Sequence, residues 1–381
     1  MPTLADEALP TRMPRLDGLR GVAILLVLCH QLDRMEGGGL VQHFLDHYLE
    51  AGWIGVQLFF VLSGFLITGI LVDTRRHEHP YREFLVRRVL RIFPLYFGAL
   101  VLFTVILPVL GAVPAEYADH AGWYWVFLSN WLQPWIEGPL PHFWSLAVEE
   151  QFYLLWPLAA LGLEPRRLLQ VCIAVAVVSL VCRVVMVAMA LPTETVYVSS
   201  LSRMDALALG GAVAVWLRLP GNLRRACAAS RGLWMAAVAA TVLLLAIPGI
   251  VDRTSHEGQT VGYSLLAADF ALLVLALASL DASGRSAFGS RWLASRPMAL
   301  LGLFSFGMYV FHKPLNDLLG TWVLATAGIA LPLHLGAGLA YIAAGLVVVF
   351  LAGAASHGLY ERHFLALRGR LASPHPGNQP R

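Results

Sequence analysis

The chain has 381 residues, of which 58% are hydrophobic and 13% are charged, and its formal net charge is +3. Soluble domains carry about 25% charged residues, so this composition excludes an ordinary soluble protein and predicts a polytopic membrane protein. The small net charge gives no indication of a nucleic-acid partner, and we expect none. The four cysteines have no metal-ligand spacing, so we expect neither a disulfide nor a bound metal.

The first sixteen residues include three prolines and lack the apolar core of a signal peptide. We therefore expect a cytoplasmic N-terminal tail (1–16), a transmembrane domain (17–360) and a cytoplasmic C-terminal tail (361–381), with no appended soluble domain.

Apolar segments of spanning length recur along the chain and predict an all-α fold with about ten transmembrane helices. The stretch from Trp123 to Trp135 is short and contains polar residues, so we expect it to be interfacial or re-entrant. The expected spans are 17–34, 51–72, 92–112, 144–163, 168–190, 204–218, 232–251, 261–280, 298–322 and 334–357.

Most of the 27 Lys and Arg residues fall on the same side of these spans, which predicts a cytoplasmic location for both termini. The use of one lysine against 26 arginines is typical of a GC-rich bacterial genome. We therefore expect a multi-pass protein of the bacterial inner membrane.

Two adjacent carboxylates, Glu149 and Glu150, interrupt the span 144–163. An ionised carboxylate in hydrocarbon costs about 2.5 to 3.5 kcal/mol on insertion scales. A sequence tolerates that cost where the group is paired, faces a polar cavity or performs chemistry. Neighbouring helical residues point about 100° apart, so we expect the two carboxylates to differ in role.

A histidine, His30, lies within the first apolar span, roughly 15 Å along the helix from Arg20. An imidazole can accept a proton near neutral pH, which suits a general base for a hydroxyl group. A histidine hydrogen-bonded between two helices is an equally open interpretation.

Three arginines, Arg87, Arg88 and Arg91, lie in a segment that we expect to form a cytoplasmic loop. Their spacing suits contact with the phosphates of a cytosolic donor. The alternative is a positive-inside signal that contacts anionic lipid.

The motif S-R-M-D contains Arg203 and Asp205, which we expect to pair with each other or with the Glu149/Glu150 site. His312 lies in the outer half of the span 298–322. Taken singly, Arg203, Asp205 and His312 are each more consistent with a structural than with a catalytic role. Together they indicate a polar interior between the helices.

Taken in order, six motifs resemble the acyltransferase-3 family of integral-membrane O-acyltransferases, and the similarity runs from about residue 15 to 365. The matching stretches are Leu16–Gly21 with His30, Phe59–Thr68, Arg87–Tyr96, Phe143–Tyr153, Arg203–Gly210 and Tyr309–Pro314.

The resemblance implies transfer of an acyl group, usually acetyl from cytosolic acetyl-CoA, to a hydroxyl group of a glycan or glycosylated small molecule. Acceptors in the family include surface polysaccharides, peptidoglycan and macrolides. The expected partners are therefore an acyl-CoA, a glycan or glycoside acceptor and membrane lipid, and a homo-oligomer is compatible with them.

The resemblance also implies roles for particular residues. His30 is the expected catalytic histidine, and Glu149 or Glu150 would orient it or balance its charge. The expected donor-binding residues are Arg20, Arg87, Arg88 and Arg91. The expected supporting residues are Arg15, Asp17, Ser145, Arg203, Asp205 and His312.

The spacing of Arg20 and His30 departs from the family, which typically has ten residues between them where this chain has nine. At about 100° per residue, the two side chains point some 80° apart. Arg15 is an alternative partner for the histidine.

A transporter or flippase of a lipid-linked sugar or metabolite would also need intramembrane charges. That function predicts inverted repeats and broken helix pairs, which the sequence does not contain. A further alternative passes the acyl group across the membrane to a partner protein. Whether a covalent acyl-enzyme forms is open.

Overall fold

A computed structural model describes residues 8–36, 39–112, 119–132 and 140–371. These residues form α-helices and short helical turns, with one isolated β-bridge between Met35 and Leu333, which confirms the all-α prediction. The helices are α1 (Pro14–Leu32), α2 (Leu40–Glu50), α3 (Ile54–Thr74), α4 (Pro80–Val101), α5 (Leu107–Val109), α6 (Ala121–Trp125), α7 (Ser129–Leu132), α8 (Trp144–Gly162), α9 (Pro165–Ala188), α10 (Thr193–Val198), α11 (Ser200–Arg218), α12 (Asn222–Leu245), α13 (Pro248–Val251), α14 (Tyr263–Ser283), α15 (Ser290–Leu293), α16 (Arg296–Asp317), α17 (Leu324–Thr326), α18 (Leu335–Ser356) and α19 (Arg362–Leu371). Two 3₁₀ turns lie at Ala51–Trp53 and Pro141–Phe143, and π-helical turns lie at Leu102–Ile106, Gly258–Gly262, Leu318–Val323 and His357–Glu361.

Eight helical segments in this described part are long and apolar enough to cross a membrane by length and composition, where the sequence predicted about ten. Each of the ten predicted spans coincides with a long helix. The two outside the group of eight are α1 and α8, which have 19 residues each and carry the predicted intramembrane charges. The chain is thus an all-α polytopic membrane protein.

The segment that carries Arg87, Arg88 and Arg91 is helical, and the predicted loop is wrong there. Helix α4 begins at Pro80, with Glu83 in its first turn, and both residue types favour a helix start. The stretch that was predicted to be interfacial or re-entrant contains the short helices α6 and α7, and residues 133–139 lie outside the described ranges. Helix α2 was not predicted.

Helix α3 lies at the centre of the bundle and packs against α1, α4, α8, α11 and α14. Helix α1 also packs along α16, and α11 packs along α9. Four of the helices with predicted site residues, α1, α4, α8 and α11, therefore pack against α3, and α16 with His312 packs against α1. Helix α19, within the predicted C-terminal tail, packs on α4.

A buried ion pair joins α9 to α11. One guanidinium nitrogen of Arg183 lies 2.9 Å from a carboxylate oxygen of Asp205, and the two side chains are 0% and 1% exposed. Arg183 also donates to the Ser202 carbonyl and the Ser264 hydroxyl, and Ser264 donates to Asp205. The predicted pairing of Asp205 with Arg203 or the glutamates is therefore wrong, because α9 brings a different arginine to Asp205.

Arg203 is also fully buried, and none of its guanidinium nitrogens has a hydrogen-bond partner among the described residues. Its cation instead lies against aromatic rings, with the nearest centroid 4.7 Å and the farthest 5.8 Å from Cζ. Such contacts stabilise a desolvated cation through the electron-rich ring faces. The rings belong to Trp53, Phe60, Trp144, Tyr197 and Tyr263.

Arg183→Met leaves the Asp205 carboxylate buried without its cation. Removing one partner of a buried pair costs about 3 to 5 kcal/mol, so we expect a large loss of thermal stability in nanodiscs. The double variant Arg183→Met/Asp205→Leu buries neither charge and should recover much of that loss. The control is Arg218→Met, which breaks a pair whose Asp73 side chain is 58% exposed and should matter far less. A double variant no more stable than the single one would contradict this account.

Candidate functional site

A cavity between α1, α3, α4, α8 and α16 brings together half of the Arg, Asp and Glu residues singled out in the sequence. We call it the arginine cavity, after Arg20, Arg88 and Arg91, which line it together with Glu149 and Glu150. Its remaining lining residues are Val56, Phe59, Phe60, Ser63, Leu66, Ile92, Ser145, Leu146, Tyr153, Ser305, Phe306 and Tyr309.

Positive charge exceeds negative charge in the arginine cavity, because three guanidinium groups accompany two carboxylates. Glu149 accepts a hydrogen bond of 2.6 Å from the Ser63 hydroxyl. Within the described residues, one oxygen of Glu150 and the Nε of Arg20 have no hydrogen-bond partner. A cationic cavity with unused donors is suited to an anionic ligand.

The arginines of α4 divide into two groups. Arg88 lies over the Tyr153 ring, with Cζ 4.9 Å from the ring centroid, and Arg91 lines the cavity one turn further on. Arg87 lies outside the cavity lining, with Nη2 3.8 Å from Glu83. The structure therefore brings Arg88 and Arg91 to Arg20 and leaves Arg87 apart from them.

A second cavity contains three histidines, His30, His142 and His312, and we call it the histidine cavity. Its other lining residues are Val27, Gln31, Val56, Pro141, Trp144, Glu194, Tyr197, Arg253, Tyr309 and Lys313. No group of three or more His, Cys, Asp or Glu side chains within the described ranges is arranged to hold a metal ion.

The ring of His30 is oriented by a backbone carbonyl of α2. Its Nδ1 lies 3.0 Å from the Leu49 carbonyl oxygen. A carbonyl oxygen accepts but cannot donate, so Nδ1 carries the proton of the neutral ring and Nε2 keeps its lone pair. An imidazole held in this tautomer can accept a proton through Nε2.

The contact between Leu49 and His30 depends on a glycine that the sequence did not single out. A Cβ at Gly52 would lie 2.3 Å from the Leu26 carbonyl oxygen and 2.7 Å from the His30 Cβ. A residue without a side chain at this position therefore lets the turn after α2 rest directly on α1. Sequence analysis missed Leu49 and Gly52 because it did not predict α2.

His142 and His312 are buried beside each other, with ring centroids 4.6 Å apart. His142 donates through Nε2 to the Val310 carbonyl, and His312 donates through Nδ1 to the Tyr309 carbonyl. The second nitrogen of each ring has no hydrogen-bond partner in the described part of the chain. His142 directly precedes the motif Phe143–Tyr153, and this position is the sequence feature from which a role for His142 could have been predicted.

The two cavities have a common wall, because Val56 and Tyr309 line both of them. The Tyr309 hydroxyl lies 2.6 Å from the Ser145 hydroxyl and donates to the His142 carbonyl at 3.0 Å. Ser145 and His312 were both predicted as supporting residues. Ser145 lies at this wall, and His312 lies in the histidine cavity.

His30 lies in a different cavity from its expected charged partners. Arg20, Glu149 and Glu150 line the arginine cavity and are not among the residues around His30. The angular offset between Arg20 and His30 along α1 agrees with this separation. The charged pair in the histidine cavity is instead Glu194 and Arg253, whose nearest atoms are 2.7 Å apart.

A third cavity shares His30 and Arg253 with the histidine cavity. We call it the acidic cavity because Glu50 and Asp252 line it. Its other lining residues are His47, Ala51, Pro248, Gly249, Val251 and Thr254.

Two of the predicted supporting residues contact helices outside these cavities. Arg15 forms an ion pair with Asp281 at 2.6 Å and so ties the start of α1 to the end of α14. The backbone carbonyl of Asp17 lies against Gly302 of α16. Arg15 therefore does not take the place of Arg20 beside His30.

The family model described as an acyltransferase domain, the acyltransferase-3 type, matches residues 13–357 of the chain. The match covers nearly the whole chain, so the protein belongs to this family, and the prediction from the six motifs is confirmed. No solved structure matches the chain significantly.

Curated relatives share between a quarter and a third of their residues with the chain over the aligned part. The O-acetyltransferase OatA of Staphylococcus aureus is 29% identical over 326 residues, which are 80% of this chain and 51% of that protein. The peptidoglycan O-acetyltransferase OatA of Listeria monocytogenes is 27% identical over 327 residues (80% and 50%). The putative peptidoglycan O-acetyltransferase YrhL of Bacillus subtilis is 29% identical over 329 residues (79% and 48%). The chain spans about half the length of these relatives.

Gly52→Ala should destabilise the protein, because the added Cβ meets the Leu26 carbonyl, a backbone atom. Overpacking of this kind costs about 1 to 3 kcal/mol, measurable as a lower melting temperature in nanodiscs. The matched control is Gly232→Ala in α12, where an added Cβ meets nothing within 4 Å and improves helix propensity. Equal melting temperatures for the two variants would contradict a tight contact at Gly52.

Proposed function

We propose that this acyltransferase-3 family member transfers an acyl group, first of all acetyl, from cytosolic acyl-CoA to a hydroxyl group of a cell-envelope glycan. The observation that carries the proposal is the position of His30. Its Nε2 is available as a base in a cavity that shares a wall with a cationic cavity. The names of the relatives, two of them peptidoglycan O-acetyltransferases, support a glycan as the acceptor.

The donor binds with its anionic part at the arginine cavity. Coenzyme A carries phosphate groups, and guanidinium groups bind phosphate through paired, charge-assisted hydrogen bonds. Arg20, Arg88 and Arg91 supply these groups on one cavity surface. The bias in Lys and Arg along the chain supports a cytoplasmic orientation for this cavity, where acyl-CoA is present.

The acceptor reaches His30 from the opposite side, through the histidine and acidic cavities. Trp144 and Tyr197 line the histidine cavity, and Glu194 and Arg253 offer hydrogen-bonding groups for the hydroxyls of a sugar there. His30 lines both cavities, so a sugar that enters through either one meets the same base.

The reaction exchanges a thioester for an oxygen ester. The acceptor hydroxyl oxygen attacks the thioester carbonyl carbon while His30 Nε2 accepts the hydroxyl proton. The new C–O bond forms, the C–S bond breaks, and the imidazolium returns its proton to the departing coenzyme A thiolate. The Ser145 hydroxyl, at the wall between the cavities, is a donor suited to the oxyanion of the tetrahedral intermediate once it turns from its present acceptors, the His142 carbonyl and the Tyr309 hydroxyl.

The two glutamates take a different role from the one that the resemblance implied. Glu149 and Glu150 line the cavity of the three arginines and lie apart from the residues around His30. We assign them to balancing the arginine charge while the donor is absent. Glu149 is also held to α3 through Ser63.

His30→Gln should reduce acyl transfer about 10² to 10⁴-fold, because it removes the general base and keeps a polar side chain of similar size. The measurement uses membranes that contain the protein, labelled acetyl-CoA, and counting of label in the glycan fraction. The exposed His363 provides the control His363→Gln, which should transfer at the wild-type rate. Undiminished transfer by His30→Gln would refute the mechanism. No transfer from any acyl-CoA by the folded wild type would favour the transporter alternative.

Arg88→Ala and Arg91→Ala should each raise the KM for acetyl-CoA about tenfold or more, because hydrogen bonds to charged groups contribute about 1.5 to 3 kcal/mol. Initial rates against acetyl-CoA concentration measure this effect. The control comes from the same helix: Arg87 pairs with Glu83 outside the cavity, so Arg87→Ala should leave the KM near the wild-type value. An equal rise in all three variants would indicate a general cationic surface in place of a donor site.

A further inference from the structure

Val56 of α3 and Tyr309 of α16 line both the arginine cavity and the histidine cavity. Both are nearly buried, with exposed fractions of 7% and 8%. A donor held by the arginines carries its acyl group on one side of these residues, and His30 Nε2 lies on the other. The acyl carbonyl therefore has to pass between Val56 and Tyr309 before an acceptor hydroxyl at His30 can attack it.

Tyr309, on one side of this passage, is held in place by hydrogen bonds. Its hydroxyl lies 2.6 Å from the Ser145 hydroxyl and 3.0 Å from the His142 carbonyl oxygen; Ser145 lies in the first turn of α8 and His142 in the 3₁₀ turn directly before it. Two hydrogen bonds from one neighbouring segment fix the position of the ring. Movement of Tyr309 away from Val56 would break both.

Val56, on the other side, cannot withdraw with its backbone. A Cβ at the preceding residue, Gly55, would lie 2.4 Å from the Ala23 carbonyl oxygen, so α3 rests directly on α1 here. A β-branched valine in a helix strongly prefers one χ1 rotamer. Its two methyl groups therefore present a fixed surface to the passage.

We propose that Val56 and Tyr309 form a filter that selects acyl groups by width. Acetyl and straight-chain acyl groups present the cross-section of a single methyl or methylene group, and the passage admits them. An acyl group branched at the carbon next to the carbonyl, such as isobutyryl, is wider and is excluded. The filter rests on the proposed acyl transfer and adds to it the class of acyl group that the site accepts.

The test compares transfer from acetyl-CoA, propionyl-CoA and isobutyryl-CoA by the wild type and by Val56→Ala. The wild type should use propionyl-CoA and discriminate strongly against isobutyryl-CoA. Removal of two methyl groups should raise the ratio of isobutyryl to acetyl transfer at least about tenfold, since one methylene in a tight apolar site is worth roughly 10 to 200-fold.

Val61→Ala is the matched control, because Val61 lies in the same helix, is fully buried and lines neither cavity. Its isobutyryl-to-acetyl ratio should equal that of the wild type. Val56→Phe tests the opposite direction: it should abolish acetyl transfer while labelled acetyl-CoA still binds to the membranes.

The possible results of these measurements distinguish failure of the filter from failure of the proposed acyl transfer. A wild-type isobutyryl-to-acetyl ratio in an active Val56→Ala variant would overturn the filter and leave acyl transfer intact. Should Val56→Ala fail to fold, acetyl transfer at the wild-type rate by Val56→Phe would overturn it equally. Absence of transfer from every donor by the wild type would instead refute the proposed function.

Discussion

Charged side chains within a membrane must be surrounded by protein, since hydrocarbon offers them no hydrogen bonds. The described helices meet this requirement in three ways. Arg183 is paired with Asp205, and Arg203 lies among aromatic rings, so neither contributes charge to a cavity. Arg20, Arg88 and Arg91 instead face a cavity, and the Nε of Arg20 has no hydrogen-bond partner among the described residues. The third arrangement is the one that a ligand can use, and Phe60 of α3 both lines this cavity and contacts Arg203.

The fold class and the family were predictable from the sequence, because each depends on local patterns. The resemblance also grouped Arg20 with Arg88 and Arg91, but it placed Glu149 and Glu150 with His30, whereas both line the arginine cavity. Apolar length sets a spanning helix, and the motifs are contiguous stretches. Helical periodicity also gave the angular offset between Arg20 and His30, which the two separate cavities match.

The partners of His30 and Asp205 could not be predicted, because packing between distant segments selects them. His30 bonds to a backbone carbonyl, and every residue has one, so no side-chain pattern marks Leu49. Asp205 had a cation two residues away in Arg203, but α9 supplied Arg183 from a different helix. The helical character of the first half of α4, before residue 92, was missed because its arginines resembled a polar loop, although Pro80 and Glu83 mark a helix start.

An enzyme of the proposed kind also has to keep its two cavities from joining, and the wall between the arginine and histidine cavities serves this purpose. Cavities that open toward opposite sides of a membrane would form a water-filled channel if they joined, and such a channel would leak protons and hydrolyse the thioester. Val56 and Tyr309, which line both cavities, are themselves buried. The acyl group itself would fill a passage that admits only an unbranched chain. Selection by width and exclusion of water would then be two consequences of the same close packing of α3 and α16 around the route to His30.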